Sequence, residues 1–269
     1  MATITTPPLA SEVLTSIGSF EIRNTLLMAW LAMAVLILFA LAARMTGYKL
    51  IPGRFQTLVE MIVGGLFDFF QSILENIALT RRVFALASTF FLFILVGNWM
   101  GILPGVGSIT VEGMHNGHLT DIPLFRSMNA DVNVTLAFSL ISAIFTQVLG
   151  IATIGILPHL GKYFVAPWKR PYGIGTFVGL LEFIGEFARL VSFTFRLFGN
   201  IFAGEVLLTV VSFLVPYLVP IPFYGLELFV GVIQALVFCL LTLAFTKMAS
   251  EHHGEYEEHH APVPELANA

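Results

Sequence analysis

The sequence predicts an all-α polytopic membrane protein, with about five transmembrane helices, one interfacial helix and no soluble domain. Of its 269 residues, 57% are hydrophobic and only 11% are charged, and the mean hydropathy is +0.88. Soluble domains carry roughly 25% charged residues, and they cannot bury so much apolar surface. The composition therefore excludes a soluble enzyme, a disordered protein and a nucleic-acid binder, and makes membrane lipid the expected surrounding.

The first element is a transmembrane helix over residues 24–45. The apolar run from Leu26 to Ala43 suits a span better than the shorter core of a signal peptide. Residues 1–22 precede this helix. The first 20 of them contain Glu12 and no Lys or Arg. We expect no cleavable targeting segment, and no Arg-rich transit peptide precedes the span, so a bacterial inner membrane is the default location. The distribution of positive charges described below places this N-terminal segment outside the membrane.

Three further helices are predicted in the middle of the chain. After a bend with Pro52 and Gly53, residues 55–79 carry scattered acidic and amide side chains, typical of an interfacial helix that Arg81 and Arg82 end. Residues 83–103 form a span that ends before Pro104. Residues 104–130 form a non-cytoplasmic loop, residues 132–157 the next span, and a basic connection follows.

The last two helices are longer than a membrane requires. Residues 174–214 contain no proline, and about 40 residues make a helix of roughly 58 Å, whereas the hydrocarbon core is about 30 Å thick. Pro216, Pro220 and Pro222 form the turn, and residues 222–250 form the last helix. The pair is therefore predicted to be a long, strongly tilted hairpin within a membrane domain of residues 23–251. Residues 252–269 should be a disordered cytoplasmic tail.

The positive charges predict the orientation. Nine Lys and Arg residues fall on one side if the N-terminus is outside: Arg44, Lys49, Arg54, Arg81, Arg82, Lys162, Lys169, Arg170 and Lys247. Arg23 and Arg126 fall on the other side. Because Lys and Arg are enriched in cytoplasmic loops, the C-terminus is predicted to be cytoplasmic.

Ionisable groups inside a membrane are costly and usually functional. On the first hairpin helix, Arg196 shares a stripe with four other polar residues at about 20–80° from it, whereas Glu205 lies at about 180°. The other members of the stripe are Glu182, Glu186, Arg189 and Asn200. On the last helix, Glu227 and Gln234 are seven residues apart and hence on one face.

Arg196 is the most informative of these groups. The structural explanation is that the polar groups pair with one another, as Glu186 and Arg189 could at i, i+3. A mid-helix arginine costs roughly 3 kcal/mol on insertion scales, and it stays charged at biological pH. Such a fixed charge can bind an anionic substrate, or it can attract a moving carboxylate and repel protons.

Several motifs carry a family resemblance. Along the chain these motifs are PGRFQ at 52–56, ADVNVT at 130–135, RLFGN at 196–200, AGE at 203–205, and Gln234 within a run that ends in MASE at 248–251. In this order the motifs resemble subunit a of the F-type ATP synthase membrane sector, Fo, in its bacterial type. The resemblance covers residues 20–251, and it implies a subunit with no active site, metal or cofactor of its own.

The resemblance also implies roles. Arg196 would separate two offset half-channels beside the rotating c-ring, so that protons cross only by riding the ring and ion flow drives ATP synthesis. Glu205 and Glu227 would relay protons in the outer half-channel, with Asn200 and Gln234 as polar neighbours. Glu227 stands where some relatives carry His. The remaining candidates for half-channel lining are Glu182, Arg189, Asn98 and Asp131, although Asp131 could instead cap a helix. The implied partners are c subunits, the b subunits of the peripheral stalk and the rest of the synthase.

Other functions fit the residues less well. An anion-binding secondary transporter could use Arg196 as its clamp, but it would favour inverted repeats with broken helices, which the sequence lacks. A quinone or haem subunit of a respiratory complex is another possibility, but haem-bearing helices need axial ligands, and His159 is the only histidine near a span. A structural anchor would not need a mid-helix arginine. The histidines of the tail, His252, His253, His259 and His260, are expected to be solvated rather than metal-binding.

Overall fold

A computed structural model describes residues 8–18, 20–47, 49–103, 105–115, 118–163 and 174–250. The helices in these ranges are α1 (Asn24–Met45), α2 (Arg54–Leu74), α3 (Ile77–Ile102), α4 (Val132–Ile154), α5 (Ile156–Tyr163), α6 (Ile174–Leu214) and α7 (Pro220–Ser250). Six of them, all except α5, are long and apolar enough to cross a membrane. The chain is a helical, multi-pass membrane protein, as the composition predicts. The tail at 252–269 lies outside the described residues.

Two small antiparallel hairpins were not predicted. Strands β1 (Val13–Ile17) and β2 (Phe20–Arg23) precede α1, and β3 (Thr110–His115) and β4 (His118–Pro123) lie in the segment expected to be a loop. Of these strands, only FEIR of β2 alternates strictly between apolar and polar residues, so the period-two signal of a strand is weak here. Both hairpins lie beside the same end of the helix bundle, because β1 contacts β3.

The boundary between α2 and α3 differs from the prediction. Helix α2 ends at Leu74, not at 79, because Glu75 adopts a left-handed conformation with φ 57°. Asn76 then caps α3, its Oδ1 accepting hydrogen bonds from the backbone N–H groups of Ala78 (3.0 Å) and Leu79 (3.1 Å). Helix α3 thus begins at Ile77, six residues before the predicted position 83. Arg81 and Arg82 lie inside its first turns, and the prediction that they end α2 is wrong.

The start of α1 and the end of α3 lie at the same end of the bundle. The Thr25 hydroxyl donates to Asp131 at 3.0 Å, and the Asn98 side chain accepts from Asn129 at 2.7 Å. Asp131 and Asn129 are neighbours in the buried segment that leads into α4. Helices α1 and α3 therefore run antiparallel.

Helix α2 begins and ends at the opposite end of the bundle. Near its start, Phe55 contacts Phe39 in the last third of α1, with ring centroids 5.6 Å apart. Near its end, Phe70 and Leu74 pack with Val83 at the beginning of α3. Its 21 residues thus lie towards one end of the bundle, a placement that fits the predicted interfacial helix although α2 is long enough to span.

Helix α4 ends three residues before the predicted position 157. Gly155 adopts φ 95°, which a residue with a side chain rarely does, and α5 follows directly as a short separate helix. The prediction placed a basic connection here, and its residues 164–170 lie outside the described ranges. Helix α5 packs on both α4 and α6.

Aromatic rings fill the core between α3, α4, α6 and α7. Phe90, Phe138 and Phe238 meet edge to face at centroid distances of 5.4–6.4 Å, and Phe193 joins them 5.3 Å from Phe238. Such pairs contribute about 0.5–1.5 kcal/mol each beyond area burial. Because lipid is as apolar as the core, this close packing is a main source of cohesion between the helices.

Helices α6 and α7 form the long hairpin that the sequence predicts. They run without interruption for 41 and 31 residues, about 61 and 46 Å at 1.5 Å per residue. Both exceed the roughly 30 Å of a hydrocarbon core, so both must tilt or extend beyond it. Helix α6 starts and ends at the predicted residues, and α7 starts two residues earlier than predicted.

Candidate functional site: a polar cavity and an exposed arginine

A cavity of about 430 Å³ lies where α6 and α7 meet the end of α3. It sits at the end of the bundle that carries the β3–β4 segment. Its polar side chains come from α3, from the segment after α3, from the segment before α4, from α6 and from α7: Asn98, Ser108, Arg126, Ser127, Glu205, Thr209, Ser212, Tyr224 and Glu227. Three residues predicted for proton transfer or half-channel lining, Asn98, Glu205 and Glu227, therefore share one cavity.

Glu205 is held by an arginine that the sequence analysis did not single out. Arg126 Nε lies 2.9 Å from Oε1 and 3.2 Å from Oε2 of Glu205, and Nη2 lies 3.1 Å from Oε2. The arginine also donates from Nη1 to the carbonyl of Ala10 at 3.2 Å. Its side chain is 3% exposed, whereas that of Glu205 is 26% exposed. Charge-assisted bonds to both oxygens fix the orientation of the carboxylate.

Glu227 lines the same cavity but differs from Glu205 in its exposure and its polar contacts. It is 6% exposed, and within the described residues no hydrogen bond or ion pair engages its carboxylate. The carboxylate packs directly against Gly204 of α6, where an added Cβ would overlap all three of its carboxyl atoms. The absence of a side chain at Gly204 therefore leaves the space that the Glu227 carboxylate occupies.

Asn98 anchors α7 beside Glu227. Its Nδ2 donates to the carbonyl of Gly231 at 3.1 Å, and the neighbouring Trp99 donates from Nε1 to the carbonyl of Leu228 at 3.2 Å. Asn98 itself is 1% exposed and accepts from Asn129. These bonds fix the first half of α7 against α3, so the position of the Glu227 backbone is set by two helices.

Arg196 lies on the exposed face of α6, between the buried Phe193 and Leu197. Its one hydrogen bond in the described part of the chain is a weak one from Nη2 to Ser192 Oγ at 3.4 Å. No carboxylate in that part forms an ion pair with it. A small cavity of about 10 Å³ adjoins it and is also lined by Gln234, which is 9% exposed.

The far end of α6 carries a second polar group. Arg189 forms an ion pair with Glu186, and its guanidinium carbon lies 4.2 Å from the ring centroid of Phe245. The predicted i, i+3 pair is therefore confirmed. Glu182, one turn earlier, is partly exposed, and Tyr163 of α5 lies close enough for both carboxylates to act on it electrostatically.

Comparison with known proteins decides the family. Residues 26–247 match the family model described as ATP synthase A chain. Curated proteins called ATP synthase subunit a are similar over most of their length. That of Syntrophobacter fumaroxidans is 35% identical over 88% of this chain and 88% of its own. That of Desulfotalea psychrophila is 34% identical over 83% and 82%, and that of Mycobacterium tuberculosis is 34% identical over 85% and 87%.

The chain belongs to the ATP synthase subunit a family. The RLFGN and AGE motifs of this family member lie on α6, and they place Arg196 and Glu205 nine residues apart, on its exposed face and at the cavity respectively. The PGRFQ motif starts α2, and ADVNVT starts α4.

The other predicted site residues lie elsewhere. Asn200 is exposed on α6, one turn from Arg196. Asp131 does not line the cavity but caps α4, and it accepts from Ser11 (2.5 Å), Thr25 (3.0 Å) and the Asn133 backbone (2.8 Å). Burial raises the pKa of Asp131, but the hydrogen bonds from Ser11, Asn133 and Thr25 outweigh it and leave this pKa below its ordinary value. Of the two roles considered for Asp131, the structure therefore supports capping.

Arg126 and Gly204 were not predicted as site residues. Arg126 lies in a predicted loop 79 positions from Glu205, and nothing in the local sequence shows that they meet. Gly204 stands inside the AGE motif, but its contact with Glu227 depends on how α6 and α7 pack. Among the described residues no three His, Cys, Asp or Glu side chains cluster closely enough to hold a metal ion.

Proposed function

We propose that this chain is the ion-translocating subunit a of an F-type ATP synthase, and that it passes protons between two offset half-channels beside the c-ring. The observation that carries the proposal is Arg196, a permanent charge on the exposed face of a helix that is long and apolar enough to span a membrane. The names of the similar proteins support the assignment to the synthase.

The charge of Arg196 calls for a partner outside this chain. An unpaired charge in a low-dielectric environment is strongly destabilised, and no carboxylate of the described residues pairs with it. A carboxylate on each c subunit would be neutral while it faces lipid and ionised when it passes the arginine. Attraction to Arg196 therefore favours loss of the proton at this position.

The cavity at Glu205 and Glu227 has the properties of the outer half-channel. It is polar and lies at one end of the hairpin, about 13 Å along α6 from Arg196 at 1.5 Å per residue. The cavity and the arginine therefore lie at different levels along α6. Gln234 adjoins Arg196 on α7, seven residues beyond Glu227, and could pass a proton onwards to the ring.

The inner half-channel would lie at the other end of α6. Glu182, Glu186 and Arg189 are seven to fourteen residues before Arg196, about 10–21 Å along the axis. Protons entering at one end of α6 and leaving at the other would be separated by the positive charge of Arg196. They would then cross only by riding the ring for nearly a full turn, which turns ion flow into rotation.

The proposal includes location and partners. We place the chain in a bacterial inner membrane with its N-terminus outside and its C-terminus in the cytoplasm, as the distribution of Lys and Arg indicates. Its partners would be the c-ring, at the exposed face of Arg196, the b subunits of the peripheral stalk and the remaining synthase subunits.

ATP-driven proton pumping in membrane vesicles tests the proposal. Arg196→Ala removes one partner of the proposed ion pair with the carboxylate of a c subunit. Because breaking a buried ion pair costs roughly 3–5 kcal/mol, pumping should fall by about a hundredfold or more. Arg81→Ala is the matched control, since Arg81 is an exposed arginine of α3. Normal pumping by Arg196→Ala, with the subunit present in the complex at wild-type amount, would contradict the proposal.

The anion-transporter alternative finds less support. An organic anion needs a site of several hundred Å³, and the cavity beside Arg196 measures about 10 Å³. Helices α6 and α7 are continuous, whereas binding sites in such transporters commonly use broken helices.

A further inference from the structure

The two carboxylates of the outer cavity are not equivalent. Arg126 engages both oxygens of Glu205 through three contacts of 2.9–3.2 Å, whereas no side chain of the described residues engages Glu227. A guanidinium bound to both oxygens stabilises the ionised carboxylate, because the proton would have to displace charge-assisted hydrogen bonds. Glu227 has no such competitor for a proton.

The position of Arg126 is built into the fold. It begins a segment, residues 126–131, in which every side chain is buried. Met128 and Ser127 of this segment pack onto Gly97 and Gly101 of α3, where added Cβ atoms would overlap them. The arginine is therefore held between α3 and α6 rather than extended freely from a loop.

Other charged groups around Glu205 are few in the described part of the chain. Glu12, beside the first hairpin, acts on Glu205 electrostatically, and Asn24 donates to Glu12 at 3.4 Å. Glu227 lies in the same cavity, and Tyr224 is the other titratable side chain of the lining. Among the described residues that line the cavity, Arg126 is the only cation.

We propose that Arg126 is a positioning residue that keeps Glu205 an anion in a fixed orientation, and so leaves Glu227 as the carboxyl group that takes up and releases the proton. The inference rests on the proposed proton-translocating function. In the outer half-channel, the Arg126–Glu205 ion pair would be a fixed part of the lining with no net charge. Glu227 would bind the proton and release it towards Gln234 and the ring.

Pairs of substitutions in the complete synthase test the assignment. Arg126→Gln leaves Glu205 a partly buried carboxylate without its partner, and ATP-driven pumping should fall about tenfold. The double variant Arg126→Gln/Glu205→Gln replaces the ion pair by two amides that can still bond, and it should recover most of that loss. Glu227→Gln should abolish pumping in either background. Arg23→Gln, an arginine at the same end of the bundle whose ion pair with Glu21 is exposed, is the matched control.

A pH profile separates positioning from mere bracing of the fold. The rate of ATP synthesis is measured in vesicles while the pH is varied on the side of the membrane to which the outer half-channel opens. In Arg126→Lys, which retains the charge but not the two-pronged contact, and in Arg126→Gln, Glu205 becomes able to titrate, so a second step should appear in the profile. That step should vanish when Glu205→Gln is added. A residue that only braced the fold would lower the rate and leave the shape of the profile unchanged.

Three outcomes would overturn the inference: an unchanged profile in Arg126→Lys, no recovery in the double variant, or full activity of Glu227→Gln. If Arg126→Gln fails to assemble, the profile of Arg126→Lys decides alone. Arg196→Ala, measured in the same vesicles, keeps the two proposals apart. If it pumps normally, the proposed function fails; if it does not pump and the double variant shows no recovery, only the role of Arg126 fails.

Discussion

Gly204→Ala should reduce proton pumping, because the Glu227 carboxylate occupies the space that the new methyl group requires. An added Cβ would overlap both oxygens and the carboxyl carbon of Glu227. Because these atoms are the end of a flexible side chain, Glu227 leaves its place in the cavity more readily than α6 and α7 move apart. Overpacking a tight contact costs about 1–3 kcal/mol. If that cost falls on the working conformation of Glu227, its population drops about 5- to 150-fold, and the pumping rate with it.

The assay is ATP-driven acidification of vesicles, with the amount of assembled subunit measured in parallel. Gly65→Ala is the matched control, because a Cβ at Gly65 of α2 meets no atom within 4 Å. Adding Glu227→Asp to Gly204→Ala shortens the opposing side chain by one methylene and should restore part of the rate. Wild-type pumping by Gly204→Ala would refute the reasoning, since it would mean that Glu227 does not work from its position against Gly204.

Three further predictions concern stability and the second polar group. Asp131→Ala should lower the thermal stability of the purified complex by about 1 kcal/mol or more, because it removes the cap of α4. The pKa of Asp131 is lowered in the folded state, so this stabilisation is present above the ordinary pKa and is lost as the pH falls through the folded-state pKa. The difference in stability between wild type and variant should therefore shrink in acid. Gly101→Ala should reduce the amount of assembled subunit, because its Cβ would lie 2.6 Å from that of Ser127. Glu186→Gln should change stability by no more than about 1 kcal/mol, because its ion pair with Arg189 is partly exposed, and an unfolding midpoint at wild-type value would agree with this.

Much of the fold could be predicted from sequence because its signals are local. The absence of proline over 174–214, followed by Pro216, sets the end of α6. Pro220 and Pro222, predicted to lie in the turn, instead lie in the first turn of α7, where proline is tolerated. The junction at 75–76 was misplaced because a left-handed Glu and an Asn cap replace the usual glycine or proline. The two hairpins were not predicted because only one of their four strands alternates strictly between apolar and polar residues.

The site was predictable only in its chemistry. A mid-helix arginine with the RLFGN and AGE motifs makes Arg196 and Glu205 candidates from the sequence. Glu227 is a candidate because it lies seven residues before Gln234 on the last helix. Arg126 could not be found in this way, because its pairing with Glu205 joins a buried connecting segment to α6 across 79 positions. Tertiary packing, rather than helical periodicity, determines that Arg126 binds the carboxylate of Glu205 and not that of Glu227.

Passive proton conductance of vesicles stripped of the soluble sector tests the central claim most directly, because it measures whether Arg196 blocks direct passage between the two half-channels. The claim predicts that Arg196→Ala raises the leak above wild type, whereas Arg81→Ala leaves it unchanged. A wild-type leak in Arg196→Ala, with subunit a and the c-ring assembled in normal amounts, would contradict the role of this arginine as the barrier.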